Sequence, residues 1–232
     1  MATEMATPAR DPGTGASVRL AGAAGVLGTA LGVVGSLVAD ISNAPATTAS
    51  AAEIVESVQG ARTAGLVGML LSTAAVSLWL VFGAGVWLRL RRASGPDSLA
   101  SACFAFGLVG FVTLLFAGFT VFFVLVYRDA DVGDPRLLYD LTFGLLAMSG
   151  APTAIALGSY AALVFRSTAL PRWTAWFGLV GALAHVALLA SFAVSEGFFS
   201  LEGQVITALP ATLFIWIIGT GIAMLVTEDL RN

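Results

Sequence analysis

The chain contains no lysine; its eleven basic residues are all arginine. Schiff-base and lysine-nucleophile chemistry is thereby excluded, retinal pigments and pyridoxal enzymes included. So is the phosphate-gripping lysine of a nucleotide-binding loop. Cysteine occurs once, at Cys103, so no intrachain disulfide, iron–sulfur cluster or multi-thiolate zinc site can form. Histidine occurs once, at His185, so one chain cannot hold a haem between two imidazoles. No cofactor and no metal is expected. Charge is scarce too. Of the 232 residues 11% are charged, against about 25% in an ordinary soluble domain. A net charge of −3 without a basic block leaves nothing to grip a nucleic acid.

What is present is apolar: 58% of the residues are hydrophobic and mean hydropathy is +0.92. A membrane span needs about 20 mostly apolar residues. Six such runs are legible, at residues 19–41, 64–88, 99–126, 137–165, 174–195 and 206–226. The fold expected is an all-α polytopic bundle of six transmembrane helices in one domain, residues 18–227. Residues 1–17 read as a disordered cytoplasmic tail and 228–232 as a second short tail. An alternative concerns the first run. Ala49-Ser50-Ala51 resembles a signal-peptidase site, and cleavage there would leave five spans; the preceding apolar run is about twice the usual length for a signal peptide.

Orientation follows from the arginines. Arg10, Arg19, Arg89, Arg91, Arg92, Arg166, Arg172 and Arg231 fall on one side of the alternating connectors; Arg62, Arg128 and Arg136 fall on the other. Arginine-rich short loops stay cytoplasmic, so both termini are placed inside. Trp87, Tyr160, Trp173 and Trp176 would ring the inner interface, Tyr127 and Tyr139 the outer one. In the first outer loop, Ser50-Ala51-Ala52-Glu53 is a capping-box pattern. Ile54, Val55 and Val58 then share a face, so a short amphipathic helix near residues 51–59 is expected at the outer surface.

Gly22, Gly25, Gly28, Gly32 and Gly35 recur at spacings of three and four, one face of the first span. Small residues let helices approach closely in lipid. This face reads as packing within the bundle, with homodimerisation as the alternative. Gly-Leu-Val-Gly occurs at 65–68, 107–110 and 178–181 and reads as a chance repeat of a biased composition. The two halves do not align, which leaves an inverted repeat of the transporter kind without support.

Few polar groups lie at depth. His185 is near the centre of the fifth span, sharing a face with Gly178, Gly181 and Glu196, and is expected to be neutral. It reads either as a satisfied core histidine or, as an intramembrane ionisable group, as a ligand site. Pro152, within Ser149-Gly150-Ala151-Pro152 at the middle of the fourth span, must kink the helix and leaves the Met148 carbonyl without its donor. Ser149 or Thr153 is the expected partner. Asp140 lies about one turn inside the outer end of the fourth span; Asp40 and Glu196 end the first and fifth. Such acids either rim an outward vestibule or simply reach water. Ser72, Thr73, Ser77, Thr113 and Thr120 are assigned no chemistry, since hydroxyls in helices bond their own backbone. No catalytic constellation is legible, so no enzyme is expected, an acid pair drawn from distant spans being the alternative.

The stretch Phe165-Arg166-Ser167-Thr168-Ala169-Leu170-Pro171-Arg172-Trp173, running on through Gly178-Leu179-Val180-Gly181, resembles the fourth loop and fifth span of an uncharacterised bacterial family of six-span membrane proteins. Val18-Arg19-Leu20-Ala21-Gly22, the arginine cluster at 89–92 and Pro210 before a tryptophan-bearing final span are similar as well. The resemblance implies topology and no activity. Family members often carry an arginine and a glutamate in the third span; Ala105-Phe106-Gly107-Leu108-Val109-Gly110 stands there instead, so no role of that pair transfers.

Two functional readings follow. In one, the protein binds or moves a small or lipophilic solute in a mostly apolar cavity lined by His185, Ser149 and Thr153, with Asp140 and Glu196 at its outer mouth. In the other, it is a non-transporting scaffold or accessory subunit. A bacterial cytoplasmic membrane is the expected location, since lysine-free, alanine- and glycine-rich usage points to a high-GC bacterial source. The bilayer is the expected partner, together with a membrane protein or a second copy at the glycine face.

Overall fold

The computed structural model describes residues 13–40, 44–46, 48–128, 133–194, 197–199, 201 and 208–226. Their regular structure is entirely helical: α1 (Gly13–Val38), α2 (Ala51–Gly60), α3 (Arg62–Ser94), α4 (Leu99–Tyr127), α5 (Pro135–Met148), α6 (Gly150–Arg166), α7 (Arg172–Leu188), a 3-10 turn (Leu189–Phe192) and α8 (Ala211–Val226). Five stretches are long and apolar enough to cross a membrane: Gly15–Val38, Arg62–Ser94, Leu99–Tyr127, Pro135–Arg166 and Arg172–Phe192. The final helix has 16 described residues, roughly 24 Å at 1.5 Å per residue. That is shorter than a full crossing, and residues 206 and 207 of the expected sixth run lie outside the described part.

The long helices form a closed ring. α1 packs on α3, α3 on α4, α4 on α5 and α6, α6 on α7, α7 on α8, and α8 back on α1. One end carries α2; the other carries Arg89, Arg91, Arg92, Arg166 and Arg172. The outward faces present Leu20, Leu70, Phe106, Ile155, Leu183 and Ile215, all more than half exposed. Apolar groups in this density fit lipid rather than water.

Several elements differ from the sequence reading. α3 runs past residue 88, through the arginine cluster to Ser94. Leu90 is fully buried and Arg91 lies over the Trp87 ring at 5.4 Å, so the helix keeps a packed face there. Gly95, at φ 88°, ends it in a conformation that favours glycine. The expected fourth span is two helices joined at Ser149. Ser149 keeps helical angles, and its N–H donates to the Leu145 carbonyl at 3.1 Å, so the helix bends there without breaking. Neither expected hydroxyl reaches the Met148 carbonyl: Ser149 Oγ donates to Leu146 and Thr153 Oγ1 to Ser149. Each hydroxyl has one proton, and each proton is taken.

Tyr160 and Tyr139, expected at the interfaces, are buried. A tyrosine ring can be buried when its hydroxyl finds a partner inside. Tyr160 donates to Thr174 Oγ1 at 2.6 Å and Tyr139 to the Pro45 carbonyl at 2.6 Å. Tyr127, Trp173 and Trp176 remain exposed. Ile54 and Val58 of α2 are buried against Leu125, Val126, Tyr139 and Phe143, so α2 caps the bundle end rather than floating on it. Its start is a complete capping box, the Ser50 N–H donating to the Glu53 carboxylate at 2.7 Å and the Glu53 N–H to Ser50 Oγ at 3.3 Å. The Ser50 N–H holds the Glu53 carboxyl below the usual glutamate range.

The glycine face of α1 is consumed inside the chain. A Cβ on Gly22 would meet the Gly221 carbonyl at 2.8 Å; on Gly25, the Phe82 ring at 2.6 Å; on Gly35, the Gly68 carbonyl at 2.7 Å. A homodimer through this face would have to displace α3 and α8. Five of the six glycines in the Gly-Leu-Val-Gly copies stand at close contacts. Gly68 meets Ala39, Gly107 and Gly110 receive Pro152, and Gly178 and Gly181 receive Tyr160 and Leu157.

Candidate functional site

The interior of the ring is filled at the arginine end and hollow toward the α2 end. Phe82, Phe104, Tyr160 and Trp216 interlock in the filled half, with ring centroids 5.0–6.4 Å apart. Tyr160 ties this cluster to two helices, its hydroxyl also lying 3.2 Å from Thr220 Oγ1. Above it, Trp79 stacks on Phe111 at 6.1 Å and tilts against Phe214 at 5.5 Å. Trp79 Nε1 donates to Thr29 Oγ1 at 3.3 Å, which fixes the indole to α1.

These three rings form one wall of a cavity of about 230 Å³. All six sides of the ring contribute. α1 supplies Gly32 and Ser36; α3 supplies Ser72, Ala75, Val76 and Trp79; α4 supplies Phe111, Leu115 and Phe119. Leu146 of α5 and Ser149 come from the bend, His185 and Leu188 from α7, and Pro210, Leu213 and Phe214 from the start of α8. The space exists for a local reason. Gly32 carries no side chain, and a Cβ there would meet Ala75 and Trp79 only at an ordinary 3.5 Å. The bend at Ser149 separates α5 from α7, whereas α6 packs along α7.

His185 is 2% exposed and, among the described residues, is the only ionisable side chain lining the cavity. Its Nδ1 lies 2.8 Å from the Gly181 carbonyl. A carbonyl can only accept, so Nδ1 carries the proton; in the neutral tautomer this leaves the lone pair on Nε2. No described group bonds Nε2. The backbone brings His185 and the bend together: a Cβ on Gly150 would lie 2.7 Å from the His185 carbonyl.

The other candidates read from the sequence are placed as follows. Ser149 lines the cavity beside His185. Thr153 faces a separate, wholly apolar void of about 10 Å³ among Phe104, Leu108, Phe111, Leu157 and Trp216. Asp140 does not reach the cavity; its Oδ2 lies 4.0 Å from Arg136 Nε one turn earlier on α5. Glu196 lies outside the described residues. Ser36 and Trp79 were missed, and Ser72, assigned no chemistry in the sequence, lines the cavity. Ser72, Val76 and Trp79 stand at i, i+4 and i+7, so a common helix face was legible; the gap at Gly32 left no trace in the sequence.

Among the described residues no group of three or more His, Cys, Asp or Glu is placed to hold a metal. Comparison of the chain with protein-family models, with curated proteins and with solved structures finds no match in any of the three.

Proposed function

We propose that the chain is a six-span integral membrane protein of the bacterial cytoplasmic membrane, both ends inside, that takes a small lipophilic molecule into the cavity from the outer half of the bilayer. The five long apolar helices and the shorter α8 support the span count. The fall of eight of the eleven arginines on one side of the alternating connectors in the sequence supports the orientation. The six-span plan implied by the resemblance around Leu170-Pro171-Arg172-Trp173 agrees with this reading.

The observation that carries the function is the cavity beside His185. A bundle that served only as a scaffold would fill its interior, because close packing is where helix association in lipid gets its energy. Here about 230 Å³ is left open among aromatic and aliphatic walls, with a buried imidazole on its surface. An apolar cavity of about 150 Å³ already takes up benzene. The larger volume fits a bicyclic or alkyl-substituted ring.

The test uses the full chain in lipid nanodiscs, with empty nanodiscs to subtract partitioning. Naphthalene is expected to bind saturably to the parent and to Gly32→Ala, and not to Gly32→Phe, whose ring occupies the cavity. Absence of saturable binding to the parent, or binding that Gly32→Phe leaves intact in a folded protein, would overturn the reading.

A further inference from the structure

We infer that the cavity selects a neutral aromatic molecule bearing a hydrogen-bond donor, of the phenol or naphthol class, whose O–H is accepted by His185 Nε2. This rests on the reading of the cavity as a binding site and adds the chemistry of what it takes.

Four polar side chains line the cavity beside Trp79: Ser36, Ser72, Ser149 and His185. Ser36 Oγ donates its proton to the Gly32 carbonyl at 2.9 Å, and Ser149 Oγ donates its own to Leu146 at 2.6 Å. His185 Nδ1–H faces the Gly181 carbonyl. The Trp79 indole N–H is held by Thr29. What these groups still offer is lone pairs: Nε2 and two hydroxyl oxygens. Only Ser72 has a hydroxyl proton that no described group takes. A lining rich in acceptors recognises a donor.

Charge narrows the class further. Among the described residues no carboxylate and no arginine lines the cavity, so a bound ammonium or carboxylate would be desolvated without a counter-ion there. The ligand is therefore neutral. The walls of Trp79, Phe111, Phe119 and Phe214 favour a flat ring, which aromatic faces hold by offset or edge contacts. A molecule without a donor would leave Nε2 buried and unpaired, and a site built around a polar group discriminates against ligands that cannot satisfy it.

The experiment compares three probes of matched shape on the full chain in nanodiscs: 1-naphthol, naphthalene and 1-methoxynaphthalene. 1-Naphthol is expected to bind about two- to tenfold tighter than the other two, the range of one buried neutral hydrogen bond. His185 is the only histidine, so uniform 15N-histidine labelling reports a single ring. 1-Naphthol is expected to move the Nε2 resonance, and naphthalene to leave it in place. His185→Phe is expected to erase the preference while keeping naphthalene binding. Equal saturable affinity for all three probes in the parent overturns the donor assignment and leaves the cavity reading standing. So does a 1-methoxynaphthalene affinity equal to that of 1-naphthol. Binding of none of the three overturns both. The parent comparison decides the matter even if His185→Phe fails to fold.

Discussion

Tyr160 shows how one hydroxyl organises the filled half of the bundle. Its oxygen meets Thr174 Oγ1 on α7 at 2.6 Å and Thr220 Oγ1 on α8 at 3.2 Å, while Thr174 itself donates to the Pro171 carbonyl at 2.7 Å. Thr174 is thus both acceptor and donor, and the three helices share one polar point in an apolar core. Tyr160→Phe removes the acceptor and donor together and is expected to cost about 1 kcal/mol, read as a lower melting temperature of the purified protein in detergent. Naphthalene binding should survive, because Tyr160 does not line the cavity. In the sequence Tyr160 stands close to a span end and so reads as an interface residue. Its partners are 14 and 60 residues away, and nothing local announces them. His185 differs: a lone imidazole deep in an apolar run is conspicuous by itself, although which of its nitrogens is open could only come from the Gly181 contact.

At the scale of elements, the five glycines of α1 separate into two kinds. Gly25 stands against the ring of Phe82, which is fully buried and held by Trp216 at 5.5 Å. Gly32 stands against the cavity. Gly25→Ala is expected to destabilise the protein by about 1–3 kcal/mol through overpacking. Gly32→Ala is expected to leave stability unchanged or raise it by up to about 1 kcal/mol, since alanine is the better helix former. Thermal unfolding of the two variants side by side checks the contrast; equal losses would show that the space beside Gly32 is not there in the membrane. The spacing of these glycines was legible, and so was the bend that Pro152 imposes. What could not be read was which glycine faced a neighbour and which faced a void, because that depends on α3 and α8 and not on α1. The same limit explains the Gly-Leu-Val-Gly tetrapeptides. Pro152 needs a groove, and Gly107 and Gly110 on α4 supply one, but the pairing of those positions is a property of the ring.

For the whole molecule, helicity and the run of apolar stretches were plain from composition, since few sequences this poor in charge can fold in water. The ring order was not, because lipid-facing and neighbour-facing residues are equally apolar and the hydrophobic pattern loses its phase. Orientation is open to direct measurement. In a Cys103→Ser background, single cysteines at Glu56, Ala93 and Thr168 occupy exposed sites on the α2 end and the arginine end. A membrane-impermeant maleimide applied to intact cells is expected to label Glu56→Cys alone, and the other two only after lysis. Labelling of Ala93→Cys and Thr168→Cys on opposite faces would overturn the topology.

The contact between Gly22 and Gly221 joins helices that leave the ribosome far apart in time. Until α8 emerges, α1 has only α3 to hold it, and the pocket lacks the Pro210, Leu213 and Phe214 side of its enclosure. Ring closure is thus a late step of biogenesis, and a nascent chain halted before α8 would be an open trough into which lipid tails can lie.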